Sequence, residues 1–216
     1  MDEEENKEVK KVVLVGESQV GKTSIISQFM DNIFQIGLPS TVGGGSFMNK
    51  SMKCVDLNKI VNLQIWDTAG QERYRSVTKM LYKDADIALL VYDITNKKSF
   101  EALQNYWVEQ VQESTLNETL MVIVANKSDL FDKEEVDEEE ARNYAKTLNA
   151  PFFVVSAKST SSINELFKDI VKNITGSNEV VIVEDKEDSI FEYKKARKKS
   201  ITLTKAKIKK EKVACC

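Results

Sequence analysis

The sequence predicts an α/β fold, a doubly wound and mainly parallel six-stranded sheet flanked by helices, on three observations. Continuous apolar runs of strand length, Val12 to Val15, Ile87 to Tyr92 and Leu120 to Ala125, have the composition of strands buried on both faces of a parallel sheet. Segments with apolar residues three and four apart alternate with these runs, as helices crossing between parallel strands would. Seven of the eight glycines (16, 21, 37, 43, 44, 45 and 70) fall between residues 16 and 70, where a backbone would have to approach a ligand or move. In such sheets the ligand sits at the carboxyl ends of the strands.

The first apolar run leads into Gly16-Glu17-Ser18-Gln19-Val20-Gly21-Lys22-Thr23 and then the amphipathic Ser24 to Phe29. A strand, a glycine loop and a helix start in that order form a phosphate cradle, because successive N–H groups and the helix N-terminus converge on one anion. Ser18, Gln19, Val20, Gly21, Lys22, Thr23 and Ser24 are therefore candidate phosphate-binding residues. Lys22 supplies a full charge for the outer phosphates, and the Thr23 hydroxyl is placed for a magnesium ion.

From Asp31 to Ser46 the chain carries Gly37, Pro39 and Gly43-Gly44-Gly45, a density of breakers that predicts a mobile loop. Phe47 to Leu57 and Ile60 to Trp66 predict a strand pair turning at Asn58-Lys59, followed by the loop Asp67 to Glu72 and an irregular helix through Tyr82. Phe100, Leu103, Trp107 and Val111 share one helix face, and Glu138 to Leu148 reads as the next helix. Phe152 to Val155 is the last strand expected. Ile163, Leu166, Phe167, Ile170 and Val171 then form the apolar face of a closing helix begun by Ser161 or Ser162.

Asn126-Lys127-Ser128-Asp129 directly follows a buried strand, where a loop would face the ligand. Guanine offers two adjacent donors, its ring N–H and exocyclic amine, and the Asp129 carboxylate can accept from both. Adenine opposes that carboxylate with a lone pair, so guanine is predicted. Ser156-Ala157-Lys158 can bring a backbone N–H to the guanine oxygen while Lys158 packs across the ring.

The chain of 216 residues has 42% hydrophobic content, room for one well-buried domain and an appendage. Between Lys194 and Lys212 ten basic residues face only Glu211, a net +9, which leaves −12 for the rest of a chain whose total is −3. A basic tail on an acidic body predicts an anionic surface as the tail's partner, and a membrane or a nucleic acid would both qualify. Residues 177 to 214 read as a mostly disordered linker with a coil span of about 30–40 Å. Of three cysteines two end the chain, so no disulfide framework is expected, and Cys54 is expected to pack within a strand. The N-terminus lacks the features of a secretory signal, and no run approaches a bilayer span.

Taken together, Gly16 to Thr23, Thr41-Val42-Gly43, Trp66 to Glu72, Asn126 to Asp129, Ser156 to Lys158 and the terminal Cys215-Cys216 resemble a small GTPase of the Ras superfamily with the P-loop NTPase fold. Leu63 to Trp66, Arg73 to Ser76 and Leu90 to Thr95 are similar to the Rab family. Serine in the phosphate loop and the small residues after Thr41 resemble its endosomal branch. The resemblance spans residues 9 to 175 as a GTPase domain, after an acidic extension of residues 1–8 and before a variable basic tail of residues 176–216.

The resemblance implies GTP/GDP binding with Mg2+, and a cycle of slow hydrolysis that switches effector binding in vesicle trafficking. It implies that Thr23 and Thr41 ligate magnesium with Asp67 in support, that Gln71 orients the attacking water, and that Gly70 senses the γ-phosphate. Phe34 matches the aromatic that covers the guanine edge. Asp31 to Asn49 contains no arginine, so intrinsic turnover is expected on the order of 10⁻⁴ s⁻¹. Expected partners are an exchange factor, an activating protein, a dissociation inhibitor, a prenylation escort protein and effectors, with no nucleic acid. Cys215 and Cys216 resemble a double geranylgeranylation site, which would hold the chain on the cytoplasmic face of intracellular membranes.

Phe47 and Trp66 read equally well as core aromatics or as part of the aromatic surface that Rab proteins present to effectors, whose third member is replaced here by Leu81. Two rivals remain at this point: a soluble GTPase of signalling or nuclear transport, and a module that holds nucleotide without cleaving it. A small-molecule kinase on the same phosphate loop would lack Asn126 to Asp129 and the Gln71 segment.

Overall fold

The computed structural model describes residues 6–35, 47–68, 81–115 and 119–183. Its strands are β1 (Asn6–Val15), β2 (Phe47–Cys54), β3 (Lys59–Asp67), β4 (Ile87–Asp93), β5 (Leu120–Asn126), β6 (Phe152–Val154) and β7 (Val180–Ile182). They form one sheet in the order β6-β5-β4-β1-β3-β2-β7. Pairing is parallel from β6 through β3, and β2 is antiparallel to both of its neighbours. Every residue of β4 is buried, as its uninterrupted apolar composition requires of a central parallel strand.

The expected six strands are thus corrected to seven. Val180–Ile182, assigned from sequence to the linker, pairs with Met52–Cys54 at the sheet edge. The Asp56 carboxylate holds the approach: Asn178 N–H donates to it at 2.8 Å and the Ser177 hydroxyl donates to its other oxygen. Val180 is buried, and Val55 N–H donates to the Glu179 carbonyl at 2.9 Å. Local polarity hid a strand whose partner lies more than a hundred residues away. At the other end of the chain, β1 begins at Asn6 and pairs with β3 from Lys59 onward.

Helix α1 (Lys22–Asp31) starts at the glycine loop and ends at Asn32, whose left-handed backbone lets its N–H cap the Gln28 carbonyl. One face of the sheet is covered by α2 (Lys97–Ala102), a π-helical turn (Leu103–Trp107), α3 (Val108–Ser114) and α4 (Glu138–Thr147). Phe100, Leu103, Trp107 and Val111 all lie in that core, so the predicted apolar face is real although the helix is interrupted. The long closing helix α5 (Thr160–Thr175) packs beside α1, with Phe29 and Phe167 stacked at 3.8 Å. Its cap is Ser159, whose side chain accepts from Ser162 N–H, and not Ser161 or Ser162. In a run of four hydroxyl residues any could cap, and the first one has the extended backbone that a cap requires. Cys54 is buried in β2 as expected. Of the expected helix through Tyr82, Leu81 and Tyr82 are helical, while residues 69–80 lie outside the described residues.

Candidate nucleotide-binding site

The site forms where the loop after β1, the ends of β3 and β4 and the loops after β5 and β6 meet. Gly16 follows β1 with φ of +144°, and a Cβ there would stand 2.2 Å from the Val91 carbonyl of β4. Gly21 has φ of +101°, and its Cβ would stand 2.2 Å from Asn126 Nδ2. Both glycines let the loop lie against the ends of neighbouring strands, a path that side chains would close.

Lys22, in the first turn of α1, is 5% exposed. Its Nζ donates to the Gly16 and Glu17 carbonyls, each at 2.7 Å, so the ammonium is folded back across the loop. Burial pushes its pKa down to about 8, against the pull of the Asp67 and Glu17 charges in the other direction. A cation kept at such cost gains most from an anion placed beside it. Ser18 is half-buried, Gln19 exposed with φ of +68°, Val20 buried and Ser24 half-buried at the helix start.

At the end of β3 the Asp67 carboxylate accepts from the Thr23 hydroxyl at 2.8 Å. A hydroxyl and a carboxylate meeting beside a phosphate loop form the oxygen donor set that hard divalent cations take. The Thr68 hydroxyl beside it donates to the Leu14 carbonyl of β1 at 2.5 Å.

The other end of the site is made of side chains. Asn126, 1% exposed, donates from Nδ2 to the Val20 carbonyl at 2.8 Å and accepts on Oδ1 from Ala157 N–H at 3.2 Å. It therefore joins the phosphate loop to the loop after β6. Lys127 adopts a left-handed backbone and places Nζ 2.5 Å from Asp93 Oδ2 at the end of β4. Asp129 accepts from the Ser156 hydroxyl and from Lys158 Nζ, both at 2.6 Å. Burial alone would raise its pKa, but these two hydrogen bonds and the Lys158 charge outweigh it and hold the carboxyl below its ordinary value. Lys158 Nζ also lies 5.8 Å from the Phe34 ring, so an aromatic face and a long cationic side chain meet on the same side.

The structure therefore brings together Ser18 through Ser24, Phe34, Asp67, Asn126, Lys127, Asp129, Ser156, Ala157 and Lys158. Thr41, Gly70, Gln71, Cys215 and Cys216 lie outside the described residues. Asp93, Glu17 and Trp107 carry no site role in the sequence reading. A polar residue closing a wholly apolar parallel strand was the available signal for Asp93. Trp107 gave none, because its spacing marks only core. Nearby, Phe47 and Trp66 stand opposite each other in the β2–β3 register and stack at 5.1 Å, with Phe47 half-exposed.

A glycine loop at one end, a carboxylate loop at the other and a doubly wound sheet beneath both define a P-loop nucleotide-binding protein. The Ras family profile matches residues 11–176. The chain is 38% identical over 164 residues to Ras-related protein RabC of Dictyostelium discoideum, covering 76% of this chain and 83% of that relative. It is 39% identical over 168 residues to Ras-related protein Rab-22A of Homo sapiens, covering 78% and 84%. The chain belongs to the Ras family as a Rab-type small GTPase, a GTP hydrolase that recruits effectors in vesicle trafficking. Among the described residues no helix is long and apolar enough to cross a membrane.

Proposed function

We propose that this GTPase holds GTP and GDP between the two loops that Asn126 joins, with each residue in a distinct role. Val20, Gly21 and the neighbouring amides of Ser18, Gln19, Lys22, Thr23 and Ser24 surround the phosphates, and Lys22 turns its ammonium from the loop carbonyls to the β and γ oxygens. Thr23 and Thr41 ligate magnesium, with Asp67 supporting it, and the hydroxyl–carboxylate pair at 2.8 Å supports this reading. When bound, the ion would neutralise negative charge on the phosphates. Asp129 accepts from the two guanine donors, Lys127 braces the loop through Asp93, and Ser156 and Ala157 supply the contact to the guanine oxygen. Phe34 and Lys158 close over the base.

Gln71 orients the attacking water, and Gly70 and Thr41 hold their loops only while the third phosphate is present. The exposed Phe47 on Trp66 offers an effector surface, with Leu81 as its third member. The GTPase domain of residues 9–175 follows the extension of residues 1–8 and continues into the tail of residues 176–216, whose start stays on the sheet through β7. Two lipids on Cys215 and Cys216 and the lysine run hold the chain to the cytoplasmic face of intracellular membranes, endosomes being the compartment its branch resemblance points to. An exchange factor, an activating protein, a dissociation inhibitor and an escort protein complete the cycle.

The observation that carries this reading is Asn126, one buried side chain bonded to the phosphate loop on one side and the base loop on the other. Single-turnover hydrolysis tests it. Gln71→Leu should bind GTP as the parent does and cleave it at least about tenfold more slowly. Equal turnover removes Gln71 from the mechanism.

A further inference from the structure

The helix formed by α2, the π turn and α3 changes its hydrogen bonding at Leu103–Trp107, where Val108 N–H reaches back five residues to the Leu103 carbonyl. A π turn has poorer bonding than the α-helix around it and persists where a tertiary contact holds it. The contact here is specific. Trp107 is 1% exposed, and its indole N–H donates to Glu17 Oε1 at 3.0 Å, across 90 residues of sequence. A buried indole N–H needs an acceptor, and the one supplied lies inside the phosphate loop.

Glu17 is held at both of its polar ends. Its carboxylate accepts from Trp107, and its backbone carbonyl accepts from Lys22 Nζ at 2.7 Å. The planar peptide that carries this carbonyl also carries Ser18 N–H, so fixing one orients the other. The geometry points to Trp107 as a positioning residue for nucleotide retention: through Glu17 it sets the Glu17–Ser18 peptide plane of the phosphate loop and the resting place of Lys22. It makes the middle of the α2–α3 helix a structural support of the phosphate loop, and it rests on the reading of that loop given above.

The test is the rate at which fluorescent GDP leaves the full chain in a double-mutant cycle. Trp107→Phe keeps an aromatic ring and removes the donor, Glu17→Ala removes the acceptor, and Glu17→Gln keeps a carbonyl acceptor. Trp107→Phe and Glu17→Ala should each speed GDP release about tenfold, the size of a lost hydrogen bond to a charged group. The double variant should release no faster than either single one, and Glu17→Gln should stay within about threefold of the parent. A residue that only fills the core would give a Glu17→Gln as fast as Glu17→Ala, or effects that multiply in the double variant, and either result overturns the proposal. Should Trp107→Phe fail to fold, the Glu17→Ala and Glu17→Gln pair decides alone, since Glu17 is on a partly exposed loop. A parent chain that binds no guanine nucleotide defeats the loop reading and this proposal together. A parent that binds GDP, beside a Trp107→Phe that releases it at the parent rate, defeats this proposal only.

Discussion

The end of the candidate site proposed for the phosphates is made of backbone, and the end proposed for the base is made of side chains. At the first, Gly16 and Gly21 hold positive φ angles against neighbouring strands, and the principal charge, Lys22, is folded onto the loop's own carbonyls. At the second, Asp129, Ser156 and Lys158 are already bonded to one another and Lys127 to Asp93. A phosphate is nearly the same in every nucleotide, so a fixed backbone nest serves it. A base must be told from other bases, and only side-chain donors and acceptors in a set order can do that. Substitutions at the first end should therefore remove binding, while those at the second should change its selectivity.

The largest effect is expected from Gly21→Ala. The new Cβ meets Asn126 Nδ2 at 2.2 Å on a backbone that L residues rarely adopt. GDP affinity, read by calorimetry, should fall by about a hundredfold or more. Asn126→Ala comes next and strikes both ends together, because it leaves the Val20 carbonyl and Ala157 N–H without their buried partner. Each stranded group costs about 1–3 kcal/mol, which denaturant unfolding of the chain will register. Asp129→Asn should leave phosphate contacts intact and weaken guanine about 10- to 100-fold. It should favour xanthosine nucleotides, in which an oxygen replaces the amine that the new amide opposes; competition binding reads the change.

The smallest effect is in acid. The Asp129 carboxyl is lowered from 3.8, so its bonds to Ser156 and Lys158 add stability that is complete above that value and is lost as pH falls through the lower folded one. Protection of the Ser156 and Lys158 amides, taken relative to their intrinsic exchange rates, should therefore change little down to about pH 4 and fall below it. The amides of the phosphate loop, which lean on glycine geometry, should be less affected.

The phosphate end was legible because a glycine loop between strand and helix is a local pattern, complete within about a dozen residues. The base loops were legible for a related reason, each following an apolar run that had to be a strand. What escaped was non-local. Val180–Ile182 is three residues among acidic neighbours, and only the open edge of β2 makes it a strand. The π turn keeps the same apolar spacing as an α-helix over this stretch, so periodicity cannot show it. Trp107 reads as core from its neighbours, and its indole N–H acquires a role only when Glu17 is brought beside it.

Competition between guanosine and adenosine diphosphates for the purified full-length chain tests the central claim most directly. Guanosine diphosphate should bind at least about a thousandfold more tightly, since the wrong base leaves Asp129 facing a lone pair. Equal displacement by the two would contradict the assignment of the base end and the division of labour built on it.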